Sequence, residues 1–320
     1  MSFDISVILP FFNEKYSAEK TLNLLYQQTI QPKEIIFIDS NSTDETSQII
    51  KNFINNNNLI TWKIYKTNLK TPSEAKNYGI SKSNFEWCAF MDFDIKFPLN
   101  WIEDQINFLS NKKSILISFG VINLNPEKYF DKIVISQTYG INSNAPVIPS
   151  SFISKSYFKK NGIFLPYRSF YDKIFIKNSL KNKSDSILIN YNNSICYFDV
   201  NYALNLKELF YKTLNYTIQS VYIKKNFIPY VYLILLFFFI STILVNANFI
   251  YYFFLILFFL RGILIPIKKN KLFFKIFKLR DLPIIFFIGI FIDITKCIGF
   301  VMGLVLKTLK KKIRLDHLYK

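Results

Sequence analysis

Trp87-Cys88-Ala89-Phe90-Met91-Asp92-Phe93-Asp94 is a short apolar run that ends in two carboxylates one residue apart. Its first five residues predict a buried strand, and the strand delivers Asp92 and Asp94 at its carboxyl end. Working outward, residues 5–9 form another β-branched run, closed by Pro10. The helical stretch after Asn13 sets Ala18, Leu22 and Leu25 on one face before Pro32 breaks it. Residues 34–38 read as a second strand and 61–66 as a third. Ser42 with Glu45 three residues later predicts a capping box that starts a helix directly after the second strand, and Thr71-Pro72-Ser73-Glu74 predicts another with proline at the first helical position. The first 120 residues thus alternate strand and helix, which predicts an α/β fold with a mostly parallel, Rossmann-type sheet flanked by helices. Residues 123–200 are less periodic, are interrupted by Pro146, Pro149 and Pro166, and complete the head.

In open α/β sheets ligands collect outside the carboxyl ends of the strands. Asn13 and Glu14 follow the first strand, Asp39 ends the second, Lys76 lies on the helix capped at Thr71, and Asp92 and Asp94 end the run quoted above. Two carboxylates at this spacing can reach a hard divalent cation. A D-x-D alone is more often a solvated turn; the company it keeps gives it chemical weight. Lys76 supplies a point positive charge suited to a diphosphate, and Mg²⁺ or Mn²⁺ would neutralise the rest.

Four segments, Ser6-Val7-Ile8-Leu9-Pro10-Phe11-Phe12-Asn13-Glu14, Ile38-Asp39-Ser40-Asn41-Ser42-Thr43-Asp44, Ala75-Lys76-Asn77-Tyr78-Gly79-Ile80 and Phe90-Met91-Asp92-Phe93-Asp94, resemble in order and spacing the family 2 inverting glycosyltransferases of the GT-A fold. The resemblance covers about the first 200 residues. It implies a nucleotide-sugar site of Pro10, Asn13, Glu14, Asp39, Lys76 and Asp92, in which Glu14 and Asp39 contact the nucleoside, Asp39 reads the base, and Lys76, where the family more often has arginine, touches the diphosphate. It gives the metal to Asp94, helped by Asp92. The family's catalytic base sits in a Glu-Asp pair after a Gly-Phe-rich segment. Asn161-Gly162-Ile163-Phe164-Leu165-Pro166-Tyr167-Arg168-Ser169-Phe170-Tyr171-Asp172 is similar to that context, with Tyr171 in the glutamate place and Asp172 as candidate base. By position alone Asp172 is equally a helix N-terminal acid favoured by the dipole. The Gln-x-x-Arg-Trp motif of the family's processive synthases is not evident, so transfer of one sugar per acceptor is expected. Trp101 reads equally as acceptor-site lining or as core.

The rest of the chain has a different composition. From residue 226 to 260 no charged residue appears, and the polar Asn246-Ala247-Asn248 divides the run, which predicts a transmembrane hairpin over 227–267 with Arg261 snorkelling toward Lys268 and Lys269. Before it, 204–226 reads as a juxtamembrane amphipathic helix, with packing in a core as its alternative. After it, 268–320 holds a basic loop, a third hydrophobic segment at 282–306 and a basic tail. That segment carries Asp293, Lys296, Gly289, Gly299 and Gly303 and has basic residues at both ends, which favours an interfacial or re-entrant helix pair, with a third span as the alternative. Residues 1–203 form the catalytic head. With no basic n-region or apolar h-region at the N-terminus, the head is expected to face the cytosol from the inner membrane.

The formal charge of +18 follows a Lys-rich, Gly- and Ala-poor usage throughout, and no element carries the aromatic-plus-basic stripe of a nucleic-acid site, so nucleic acid is not an expected partner. Cys88, Cys196 and Cys297 show no paired spacing, and His317, the only histidine, can form neither a His-based metal site nor a triad. The expected partners are a UDP- or GDP-linked donor and a lipid-linked or membrane-associated acceptor. Polyprenyl phosphate as acceptor, which needs no general base, and a non-catalytic membrane scaffold on a degenerate sugar-nucleotide fold are the alternatives.

Overall fold

A computed structural model describes residues 4–110, 114–124, 126–141, 145–181, 187–190, 196–198, 203, 205–223, 230, 234, 247–270 and 272–309. The chain divides into two compact units, one made of Met1–Asn123 with Asn144–Val200, the other of Leu124–Ser143 with Asn201–Lys320. Composition predicts a continuous head to residue 203; instead Leu124–Ser143 leaves the head and packs with the C-terminal helices.

Among the described residues the first unit is built on a nine-stranded mixed sheet. Strands β1 (Ile5–Phe11), β2 (Glu34–Asp39), β3 (Trp62–Lys66) and β4 (Trp87–Phe90) are parallel in the order β3-β2-β1-β4. β1 and β2 are buried on both faces, which explains their unbroken apolar runs. β5 (Ile95–Lys96), β6 (Ile117–Asn123), β7 (Ala145–Ser154), β8 (Ile187–Ile189) and β9 (Cys196–Phe198) extend the sheet, with β7 antiparallel to both β4 and β6. Helix α1 (Lys15–Tyr26) buries Ala18, Leu22 and Leu25 as the spacing predicts. In α3 (Pro72–Lys82) the Thr71 hydroxyl accepts from the Glu74 amide at 3.2 Å and donates to the Glu74 carboxylate, so this cap forms where the sequence places it. The other predicted box does not form. Helix α2 (Thr46–Asn56) begins with Asp44 accepting from the Thr46 amide, because the Ser42 hydroxyl is taken by the Asn13 amide at 3.1 Å. Trp101, at the start of α4 (Trp101–Ser110), is fully buried among Phe97 and Phe152 and belongs to the core.

The second unit is helical: α5 (Tyr129–Thr138), α8 (Leu206–Ser220), α9 (Ala247–Leu257) running through a π-helical turn at Phe258–Leu264 into α10 (Ile265–Lys269), α11 (Phe273–Ile276) and α12 (Leu282–Thr308). Two further helices, α6 (Lys155–Asn161) and α7 (Tyr171–Lys181), belong to the first unit. The first half of the predicted hairpin, 227–245, lies outside the described residues apart from 230 and 234. Arg261 and the third segment depart from expectation, and the helix before the hairpin takes its core-packing alternative. Arg261 does not snorkel: it is 6% exposed and forks onto both carboxylate oxygens of Asp293. The glycines of the third segment do not break it, and α12 is one continuous helix of 27 residues rather than a re-entrant pair. Helix α8 buries Leu209, Thr213, Leu214, Thr217 and Ile218, so its apolar face packs in a core. Among the described residues one helix, Leu279–Thr308, is long and apolar enough to cross a membrane.

Candidate functional site

The site begins with an interruption in the sheet. β1 pairs with β2 as far as Phe11 opposite Asp39, but its pairing with β4 stops at Ile8 opposite Phe90. Pro10 falls just beyond that point, where a missing amide costs the β4 side no ladder bond. A crevice therefore opens between the carboxyl ends of β1 and β4. Phe93 turns inward onto Phe11 (ring centroids 5.5 Å apart) and Phe37 (6.2 Å), and Thr21 holds its carbonyl at 3.0 Å. With Phe93 anchored in the core, Asp92 and Asp94 on either side of it are left half-buried.

The loop after β1 and the loop after β2 lock together. Asn13, in the left-handed region at φ 58°, accepts from the Thr43 amide at 2.9 Å; the Glu14 amide donates to Thr46 at 2.8 Å and the Lys15 amide to Asp44 at 3.2 Å. Asp39 is 1% exposed, and its carboxylate accepts from the Ser42 amide at 2.7 Å and from the Ser47 hydroxyl. In this arrangement Asp39 shapes the loop, and Glu14, with Ser17 donating to it at 2.9 Å, stands near Asp92.

Helix α3 brings the positive charge. A Cβ on Gly79 would meet Ile8 at 2.4 Å, so only glycine lets this helix lie so close to β1. One turn earlier Lys76 is fully buried, and its ammonium donates to Asp92 at 2.5 Å. Asn77 clasps the backbone of Phe164 from both sides, at 2.8 and 3.1 Å, and Ser73 donates to the Tyr167 carbonyl at 2.8 Å. These bonds carry the chain into α7, whose first residue Tyr171 lies with its ring centroid 6.0 Å from the Lys76 ammonium. Asp172 follows in the first turn, half-buried. Tyr171 also lines a cavity of about 160 Å³ with Tyr157, Asn161, Asn178 and Ser179.

Electrostatically the crevice carries more negative charge than it neutralises. Burial, then Asp92 and Glu14, push the Asp94 carboxyl up to about 7. Burial, then Asp92 and Asp44, also raise Glu14, against a hydrogen bond from Ser17. Burial works against the Lys76 charge, and Asp92 and Tyr171 more than offset it, so Lys76 stays protonated. Burial pushes the Tyr171 phenol up to about 12 despite Lys76 beside it. Among the described residues no three His, Cys, Asp or Glu side chains converge closely enough to cage a metal. Asp92 and Asp94, one residue apart at the strand end, fit a cation that draws its remaining ligands from a diphosphate and water.

The structure thus brings Glu14, Lys76, Asp92 and Asp94 to one crevice and keeps Asp39 behind it as a loop anchor. Neither Tyr171 against Lys76 nor Asn13 bonded to Thr43 is visible in the sequence, because both are contacts between residues distant in the chain. A parallel β/α half, a carboxylate pair where β1 and β4 part, and antiparallel strands to complete the sheet define the GT-A-like class of nucleotide-sugar folds. The chain belongs to glycosyl transferase family 2, whose description matches residues 6–180, more than half of its length. It is 30% identical over 105 residues to an uncharacterised glycosyltransferase of Haemophilus influenzae, covering 33% of this chain and 42% of that one. It is 30% identical over 90 residues to a GalNAc(5)-diNAcBac-PP-undecaprenol β-1,3-glucosyltransferase of Campylobacter jejuni (28% and 29%), and 28% identical over 189 residues to the Staphylococcus aureus poly(ribitol-phosphate) β-N-acetylglucosaminyltransferase TarS (55% and 32%). The chain spans less than half the length of these relatives. Among solved structures, a mannosyltransferase of Pyrobaculum calidifontis in complex with GDP-Man and Mn²⁺ shares the fold at a TM-score of 0.51 and 12% identity, covering 98% of this chain and 78% of that one.

Proposed function

We propose that the protein is a membrane-associated glycosyltransferase that moves one sugar, with inversion, from a UDP- or GDP-linked donor to a lipid-linked or membrane-associated acceptor in cell-envelope polysaccharide or glycolipid synthesis. The observation that carries this reading is the crevice where β1 and β4 part, in which Asp92 pairs with one buried lysine and Asp94 and Glu14 stand near Asp92. A divalent Mg²⁺ or Mn²⁺ held by Asp94 and Asp92 would offset the excess negative charge and take the diphosphate oxygens as further ligands. Lys76, enclosed and paired with Asp92, is the proposed counter-charge for the departing diphosphate. Pro10, Asn13 and Glu14 border the donor side, and Asp39 sets the loop on which a nucleoside would rest. Asp172, at the start of α7 beyond Tyr171, is the group proposed to deprotonate an acceptor hydroxyl. The relatives named for an undecaprenol-linked and a wall-polymer acceptor support the acceptor class, and the apolar helix Leu279–Thr308 supports membrane association; the side taken is the inner, cytoplasmic one.

The test is divalent-dependent binding of a panel of UDP- and GDP-sugars to the detergent-solubilised chain, beside an Asp94→Ala variant. Donor binding that needs the metal and falls about 10²–10³-fold in the variant is the expected result. Equal binding by the variant would remove Asp94 from the metal, and no binding by any donor would sink the reading.

A further inference from the structure

The helices of the second unit divide the residues of α12 sharply. Ile285, Ile288, Gly289, Ile292, Thr295 and Phe300 are buried within the unit, as are Gly299 and Gly303. The opposite side exposes Ile284, Phe287, Ile294, Ile298, Val301 and Val305, each at least 40% accessible. At about 100° of rotation per residue these form one apolar stripe along the whole helix, roughly 40 Å long.

The covered side shows what α12 cannot do. A Cβ on Gly299 would lie 2.8 Å from Thr217, and one on Gly303 would lie 2.8 Å from Val221 and 2.9 Å from the Ile218 carbonyl, so α8 lies directly against α12. Phe210 meets Phe291, and Lys307 donates to the Val221 carbonyl at 2.8 Å, so the two helices run side by side in the same direction. In that register Lys207, Glu208 and Lys212 of α8 lie alongside the first half and the middle of α12. Were α12 to stand across a bilayer, Lys212 would be carried close to its hydrocarbon centre and Lys207 and Glu208 into its outer part, where ionised side chains are disfavoured.

We propose that α12, with α8 packed along it, lies in the plane of an anionic bilayer surface, the exposed stripe of α12 sunk into the boundary between headgroups and acyl chains and no part of α12 crossing. The bilayer is the occupant that the charge pattern fits. Along 267–280, exposed bases alternate with exposed apolar side chains: Lys268, Lys275, Lys278 and Arg280 among Phe274 and Leu279, which are 65% and 74% accessible. Bases that reach anionic headgroups beside apolar anchors that enter the acyl region are the two halves of an interfacial anchor. This inference deepens the membrane association proposed above, and its test reads depth rather than sugar transfer, so either can fail alone.

The full chain carrying Ile284→Trp, Ile294→Trp or Val305→Trp is bound to vesicles of phosphatidylcholine and phosphatidylglycerol in equal parts, with bromine placed either near the headgroups or near the chain ends of the lipid. The signal is the quenching in excess of the unmutated chain. The expected result is that lipid brominated near the headgroups quenches all three positions most, and that binding falls sharply without phosphatidylglycerol. Ile294→Trp quenched best by chain-end bromine, with the two outer positions quenched best by headgroup bromine, would show a span and overturn the proposal. So would absence of quenching at every position, which would mean that protein covers the stripe. A variant whose thermal unfolding differs from the parent is replaced by Ile298→Trp or Val301→Trp on the same stripe.

Discussion

Each unit contains a buried base paired with a partly exposed aspartate, and the two pairs differ in their surroundings. In the first unit Lys76 is wholly enclosed and donates to Asp92, whose side chain keeps 30% of its surface in solvent, with Asp94 and Glu14 close by. In the second, Arg261 forks onto Asp293 and donates to the Gln137 side chain at 3.3 Å; the Gln137 amide in turn donates to the carbonyls of Arg261 and Ile285 at 2.7 and 2.9 Å. The Arg261 cluster ties three helices together, α5, α12 and the π-helical turn, with charges balanced and polar atoms bonded. The Lys76 cluster leaves one base among three acids. Surplus charge held at a strand end marks a site for ligand chemistry, whereas a closed, balanced network marks a structural lock.

Breaking each pair should separate the two roles. Arg261→Ala strands Asp293 in a largely apolar setting and should cost about 3–5 kcal/mol of stability, read as a large fall in the thermal unfolding midpoint in detergent. Replacing both partners, Arg261→Leu with Asp293→Leu, should recover much of that loss. A single variant as stable as the parent would dismiss the lock. Lys76→Met should be milder for the fold, about 1–3 kcal/mol, because the methionine keeps the buried stem and a single bond to Asp92 is lost, where Arg261→Ala loses its fork onto Asp293 and its bond to Gln137. Its main effect should fall on donor affinity, measured by calorimetry with each nucleotide sugar. Full donor affinity in Lys76→Met would show that the lysine serves only the fold.

What the sequence makes legible follows from how local each determinant is. The strand runs and the Thr71 cap are settled within a few residues, and the structure places both as expected. The carboxylate pair is legible because a strand end fixes where it must emerge. The Ser42–Glu45 box fails because Asn13, 29 residues away, takes the serine hydroxyl. Arg261 is misread for the same reason: snorkelling is the rule for an isolated helix, and Asp293 lies 32 residues on, in another helix. That Leu124–Ser143 belongs with the C-terminal helices is equally invisible, since its apolar residues suit either unit. In the site itself, the sequence brings the acids and Lys76 to one sheet edge but not to one another, because the Lys76–Asp92 bond depends on how closely Gly79 lets α3 approach β1.

The surplus of acid in the first unit also sets a pH dependence that the second unit should lack. Asp94 has its carboxyl raised from the ordinary aspartate value to about 7, by burial first and then by Asp92 and Glu14. Between the ordinary value and about 7 the folded chain holds a proton that the unfolded chain has released, so this group lowers stability as pH rises through that window. A divalent cation competes for the same oxygens. Its apparent affinity should therefore fall about tenfold per pH unit below about 7 and level off above it. Titrating Mn²⁺ binding between about pH 5.5 and 8, in the presence of the donor that binds best, reads this slope directly. Asp94→Asn should remove the step along with most of the affinity. If the slope persists in the variant, the proton being displaced belongs to another acid, Glu14 foremost, and the cation sits nearer β1 than the D-x-D reading places it.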